Sequence, residues 1–110
     1  MKSYEILETI AKKVNASEPI KNEIKGSSKI LQFDMRADKY FLHVSESGEI
    51  SLSTGEHPTP NVTIFVTDEI MQDILLSKLD ETKAFLEGKI KFKGDLFLTQ
   101  KLINIVKKVS

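Results

Sequence analysis

The chain has 110 residues, 40% hydrophobic and 29% charged, with sixteen basic side chains, sixteen acidic ones and no cysteine. That length suits one domain with one core, expected over residues 1–110. A formal charge of zero gives no overall field toward nucleic acid, and the lack of cysteine removes disulfides, thiolate metal sites and cysteine nucleophiles.

The start, MKSYEILETIAKK, carries Glu5, Glu8 and paired lysines where a secretion signal would be apolar, and no run is long enough to span a bilayer. A cytoplasmic protein is expected. Leu7, Ile10, Ala11 and Val14 recur at helical spacing and predict an amphipathic first helix. Residues 16–28, with Pro19 and Gly26, read as a linker with room for a short helix.

From Lys29 the period becomes two. Leu31, Phe33 and Met35 alternate with Gln32, Asp34 and Arg36, and Tyr40, Leu42 and Val44 alternate with Phe41, His43 and Ser45. A turn at Ala37-Asp38-Lys39 and another at Gly48, ahead of Ile50 and Leu52, predict an antiparallel meander of three strands. After the GEHPTP loop, Val62, Ile64 and Val66 mark a fourth strand. Thr67 or Asp68 can cap a helix carrying Ile70, Met71, Ile74 and Leu75, and Asp80 can cap the helix DETKAFLEG, which Gly88 ends. KIKFK is the fifth strand.

With Phe41 and Phe65 as exceptions, the apolar residues of all five strands fall on one face. The expected fold is therefore α+β: two layers, a five-stranded mixed sheet and helices covering one face. The mixture is expected because the helical segment between the fourth and fifth strands is long enough for a crossover. In the closing segment, Leu96, Leu98, Leu102, Ile103, Ile105, Val106 and Val109 cover roughly half of a helical projection, with Thr99 the one polar member and Phe97 on the polar flank. So wide an arc suits a core helix between two neighbours, a lid over an apolar cavity, or a partner-binding surface.

No metal-ligand spacing, nucleophile elbow or phosphate loop occurs, and the two histidines, His43 on a polar strand face and His57 in a loop, stand apart from recognisable catalytic partners. No catalytic residue, metal or cofactor is expected. Asp34 with Asp38, and Asp80 with Glu81, read as a wet sheet face and a helix cap rather than acid/base pairs. Lys89, Lys91 and Lys93, with Lys101, Lys107 and Lys108, form either a basic patch for phosphates or a membrane surface, or simply a solvated face.

The runs PNVTIFVTDEI and LLSKLDETKAFLEGKIKFKGDLFLTQKL, which lie within residues 60–102, resemble the sterol carrier protein type-2 domain family in order and spacing. Asn61 stands where many members have aspartate, Ser77 where many have glycine, and Ile103 where glutamine is frequent. The resemblance implies a non-enzymatic protein that binds, and in transfer carries, fatty acids, fatty acyl-CoA or sterol-like lipids in an apolar tunnel between the sheet and the C-terminal helix. The tunnel-lining candidates it implies are Phe33, Met35, Leu42, Ile64, Phe85, Phe92, Leu98, Leu102 and Ile105. The expected partner is a hydrophobic lipid rather than nucleic acid, with transient membrane-surface contact and a homodimer left open. The alternative is a structural or dimerisation module that uses the same fold without ligand.

Overall fold

The computed structural model describes residues 1–109. Its elements are α1 (Lys2–Asn15), α2 (Glu18–Ile24), β1 (Lys29–Met35), β2 (Asp38–Val44), β3 (Ile50–Thr54), β4 (Val62–Val66), α3 (Asp68–Leu75), α4 (Glu81–Leu86), β5 (Ile90–Gly94) and α5 (Leu96–Val109). The strands form one sheet in the order β3-β2-β1-β4-β5. Among the described residues no helix is long and apolar enough to cross a membrane.

The sheet is mixed, but its parallel pair is not where the length of the helical connection places it. β4 and β5 are antiparallel, with Val66 opposite Ile90, so the segment carrying α3 and α4 leaves and rejoins the sheet at the same end. The parallel neighbours are β1 and β4, with Leu31 opposite Val62. The first hairpin is also tighter than the Ala37-Asp38-Lys39 turn implies. Met35 pairs with Asp38, leaving Arg36 and Ala37 as the turn, with Arg36 at φ 71°. The Asp34 carboxylate accepts from the Arg36 N–H at 2.9 Å, which fixes the bend.

Side chains alternate across the strands as their sequence period requires. Leu31, Phe33, Tyr40, Leu42, Val62, Ile64 and Ile90 point to the inner face, where they meet Leu7 and Val14 of α1, Met71 and Leu75 of α3, and Leu102, Ile105 and Val106 of α5. Each such side chain contributes about 1.5–3 kcal/mol by leaving water. Phe65 stays 40% exposed on the outer face. That face is not uniformly wet, because the loop after β3 folds over it. Gln32, only 2% exposed, donates from Nε2 to the Gly55 carbonyl at 3.0 Å and accepts at Oε1 from the His57 N–H at 2.7 Å.

Helix starts follow the sequence. Thr67 accepts from the Ile70 N–H at 3.2 Å, Asp80 from the N–H groups of Thr82 and Lys83 at 2.9 and 3.0 Å, and Asp95 from the Leu98 N–H at 3.2 Å. Asn15, the last residue of α1, clips that helix to β3. Its Oδ1 accepts from the Ile50 N–H at 2.8 Å and its Nδ2 donates to the Ile50 carbonyl at 2.9 Å.

Candidate functional site: two clefts flanking the last helix

The short helix α2 has no fully buried residue, and Ile20 and Ile24 pack partly buried against the edge of the core. It is held by the β2–β3 turn, where Gly48 packs so closely on the Lys21 carbonyl that a Cβ would collide with it. The chain running on from α2, the adjoining ends of β1, β2 and β3, and α5 from its start to Ile105 border a cleft that is open on one side. It is a cavity of about 350 Å³ with Ile24, Leu31, Val44, Ile50, Leu98, Leu102 and Ile105 as its apolar wall. Lys25, Lys29 and Lys101 also line it. The one acid there, Asp95, is committed to capping α5. Phe97, 89% exposed, stands at the same cleft.

A second, smaller cleft of about 200 Å³ opens on the other flank of α5, against α4 and β5. Phe85 and Phe92, with ring centroids 5.8 Å apart, form one wall with Leu96 and Ile103. Thr99 lines it too and is only 5% exposed, and its Oγ1 has no hydrogen-bond partner among the described residues. Such an unmade bond costs about 1–3 kcal/mol. Glu81 sits at the rim, paired with Lys107 at 3.2 Å.

The candidate lining residues divide between these places. Leu98, Leu102 and Ile105 line the first cleft, while Phe85 and Phe92 line the second. Phe33, Leu42 and Ile64 are fully packed in the core, and Met35 is partly buried against it. Leu31, Val44, Ile50, Lys25 and Lys29 of the first cleft were not singled out by sequence as lining residues, and Lys101 was named there only as a member of a basic patch. Leu31 and Val44 carried the inward-facing signal, but period two does not say which inward residue ends at a gap. The arc of α5 is broad because it meets a cleft on each flank as well as the core. Of α4, only Ala84 is buried, whereas Phe85 and Leu86 are 51% and 77% exposed. The helix has six residues and packs along the edge strand β5, so one inward side chain is all it offers.

The lysines close in sequence do not form one basic patch. Lys91 and Lys93 pair across β4 with Phe65 and Thr63 on the outer face, while α5 lies over the inner one. Lys89, Lys107 and Lys108 are each ion-paired, with Glu87, Glu81 and Glu23. His43 does have a partner, since its Nε2 lies 2.7 Å from the Ser28 Oγ, and His57 meets Phe41 edge-on at 5.2 Å. Both rings lie on the outer face, and among the described residues neither is hydrogen-bonded to a carboxylate. Asp34 serves the hairpin and an ion pair with Lys39 at 3.7 Å. No group of three or more acidic or histidine side chains suited to a metal occurs among the described residues.

Two departures from the resembled pattern acquire a physical meaning. Asn61 uses its carboxamide oxygen to accept from the Ile30 N–H at 2.7 Å, a task an aspartate would also perform. Ile103 makes the second cleft more apolar than a glutamine would.

Comparison with known proteins agrees with this architecture. The model of the SCP-2 sterol transfer family matches residues 7–107. Peroxisomal multifunctional enzyme type 2 of Mus musculus is 38% identical over 63 residues, 57% of this chain and 8% of that protein. Peroxisomal multifunctional enzyme A of Dictyostelium discoideum is 45% identical over 56 residues, 51% of this chain and 12% of that protein. The chain thus spans about a tenth of the length of these curated relatives. Among solved structures, the crystal structure of Sterol Carrier Protein 2 Like 2 from Aedes aegypti is 27% identical, with 94% of this chain and 95% of that one covered and a TM-score of 0.66. Sterol Carrier Protein-2 from Aedes aegypti, solved in complex with palmitate, shares the fold at a TM-score of 0.74 and 17% identity, covering 100% of this chain and 98% of that one. With its family model matched over nearly its whole length and its five-stranded α+β fold shared with these structures, the chain belongs to the SCP-2 sterol transfer family.

Proposed function

We propose that the protein binds, without catalysis, a lipid with one long apolar chain and an anionic head, a fatty acid or fatty acyl derivative, in the first cleft beside α5. The observation that carries this reading is an apolar cavity of about 350 Å³ lined also by Lys25, Lys29 and Lys101. Its volume lies within the ~300–1,000 Å³ of ordinary ligand pockets. Burial of the chain, at about 25 cal/mol per Å², provides most of the affinity, and the lysines select an acid over a neutral head. The palmitate complex of the Aedes aegypti protein of the same fold supports the ligand class. Exposed Phe97, next to the lysine-lined cleft, suits transient contact with a membrane surface while the ligand enters or leaves.

Displacement of a fluorescent fatty acid from the delipidated protein by palmitate, palmitoyl-CoA and a sterol tests this reading. Saturable displacement by the first two with a raised melting temperature supports it. No uptake of any member of the panel overturns it. One observation favours a second reading: Leu86, Leu96 and Phe97 are all largely exposed, as a dimer interface would leave them in a single chain. Sedimentation as a dimer that Phe97→Glu dissociates, with no lipid uptake, would replace the carrier by that module.

A further inference from the structure

We infer that a concavity at one end of the sheet's outer face, between the β1–β2 turn and the start of β5, binds a phosphate carried on a planar ring, the chemistry of a nucleoside monophosphate. The strand register builds it. Asp34 of β1 stands opposite Phe65 of β4, and Phe65 opposite Lys91 of β5. Beyond that row, at the end of the sheet, Arg36 of the turn, Thr67 and Lys89 continue the wall. The cavity measures about 350 Å³, within the ~300–1,000 Å³ of ordinary ligand pockets. Its charges are not balanced. Asp34 is paired with Lys39 at 3.7 Å and accepts from the Arg36 N–H, and Lys89 is paired with Glu87 at 3.2 Å. Arg36 and Lys91 have no acidic partner among the described residues, and together they match a phosphate dianion, two of whose oxygens the planar arginine fork can hold at once. The Lys89–Glu87 pair is about half exposed, so it is weak enough for Lys89 to turn to the same phosphate. Phe65 supplies the other half of the site. It is 40% exposed, and among the described residues its ring meets no other aromatic, so it offers a flat apolar wall on which a base stacks. Arg36 itself stands at φ 71°, where glycine or asparagine is the ordinary occupant, so the turn carries this arginine at a conformational cost. Cations gathered in one concavity of a chain with zero formal charge suit a small ligand rather than a nucleic-acid strand or a membrane. The site lies on the opposite face of the sheet from the lysine-lined cleft and stands whether or not a lipid binds there.

The test follows backbone amide shifts and the Arg36 Nε–H by NMR during titration with AMP and, separately, with adenosine and inorganic phosphate. AMP is expected to move the signals of Arg36, Phe65, Thr67 and Lys91, to leave those of Ser27 and Ile50 in place, and to bind more tightly than either fragment. Arg36→Gly removes the guanidinium and gives the turn the residue its φ favours, so it is expected to weaken AMP about fivefold with no loss of melting temperature. Lys91→Gln is expected to weaken AMP by a similar factor, and Phe65→Leu to weaken AMP while sparing inorganic phosphate. Unchanged AMP affinity in either Arg36→Gly or Lys91→Gln overturns the inference, as do AMP shifts that fall elsewhere or no shifts at all. Equal affinity for AMP and inorganic phosphate also overturns it, because the concavity would then be a general anion site with no place for the ring.

Discussion

Ser77 and Gly88 close two successive helices with the same hydrogen-bond pattern. After α3 the Lys78 N–H reaches the Asp73 carbonyl at 2.7 Å and the Ser77 N–H reaches that of Ile74 at 3.1 Å. After α4 the Lys89 N–H reaches the Ala84 carbonyl at 2.8 Å and the Gly88 N–H that of Phe85 at 3.1 Å. This is the Schellman closure, which needs a left-handed residue, and φ is 59° at Ser77 and 73° at Gly88. Serine bears the Cβ strain that glycine avoids. Ser77→Gly is therefore expected to stabilise the protein by about 1 kcal/mol, as the shift of a urea midpoint will show. An unchanged or lowered midpoint would mean that the serine is otherwise compensated.

That pair also marks how far the sequence is readable. Glycine at position 88 announces its helix end, and Ser77 hides the same closure behind a residue that seldom adopts it. The inward strand face was legible from Leu31, Phe33 and Leu42 because period two is a strong local signal. The parallel pairing of β1 with β4 was not, since strand order depends on where the chain returns rather than on any local pattern. Leu98, Leu102 and Ile105 were legible as a broad apolar arc. Their division from Ile103 and Thr99 between two clefts depends on where α2 and α4 stand, which no periodicity reports.

Gly94 ends β5 at φ 113°, so close to Asn61 that a Cβ would overlap the Asn61 carbonyl. The same carbonyl accepts from the Asp95 N–H at 3.0 Å, which positions the cap of α5. Gly94→Ala is expected to cost more than about 1 kcal/mol and to weaken lipid uptake by displacing the start of α5. Thermal melting and fatty-acid titration of one variant check both, and an unaltered melt contradicts the account of this junction.

The start of α1 is tied to the sheet and to α3 through one buried hydroxyl. Ser3 Oγ lies 2.9 Å from the Tyr40 hydroxyl and donates to Asp68, which also accepts from the Ser3 N–H at 3.1 Å and from Gln72 Nε2 at 2.7 Å. Burial pushes Tyr40 well above the usual phenol range. For Asp68, burial acts upward, but the hydrogen bonds from Ser3 and Gln72 outweigh it and hold the carboxyl below its ordinary value. A depressed carboxyl stabilises the fold above its unfolded pKa of about 4, and the contribution is lost as pH falls through the folded value. The raised phenol works oppositely, with its contribution complete below about pH 10 and lost above it. Asp68→Asn is expected to lower stability at pH 7 and to flatten its decline below pH 4, measured by urea unfolding across pH. An identical acid limb in the variant would contradict the assignment.

Lys101 lines the proposed lipid cleft on the same helix as Leu98. Lys101→Glu is expected to weaken palmitate about threefold while leaving the melting temperature of the ligand-free protein unchanged, and the loss should shrink in high salt. Equal weakening of palmitate and its methyl ester would show that the lysine does not act through the carboxylate.

The most direct measurement is isotope-filtered NMR on ¹³C-palmitate bound to the protein, which records the protons within reach of the chain. The account predicts contacts from the palmitate methylenes to Leu31, Val44, Ile50, Leu98 and Leu102, with the carboxylate end nearest Lys25, Lys29 or Lys101. Saturable binding whose contacts fall instead on Phe41 and Phe65 of the outer face, or the absence of any bound palmitate, would contradict it.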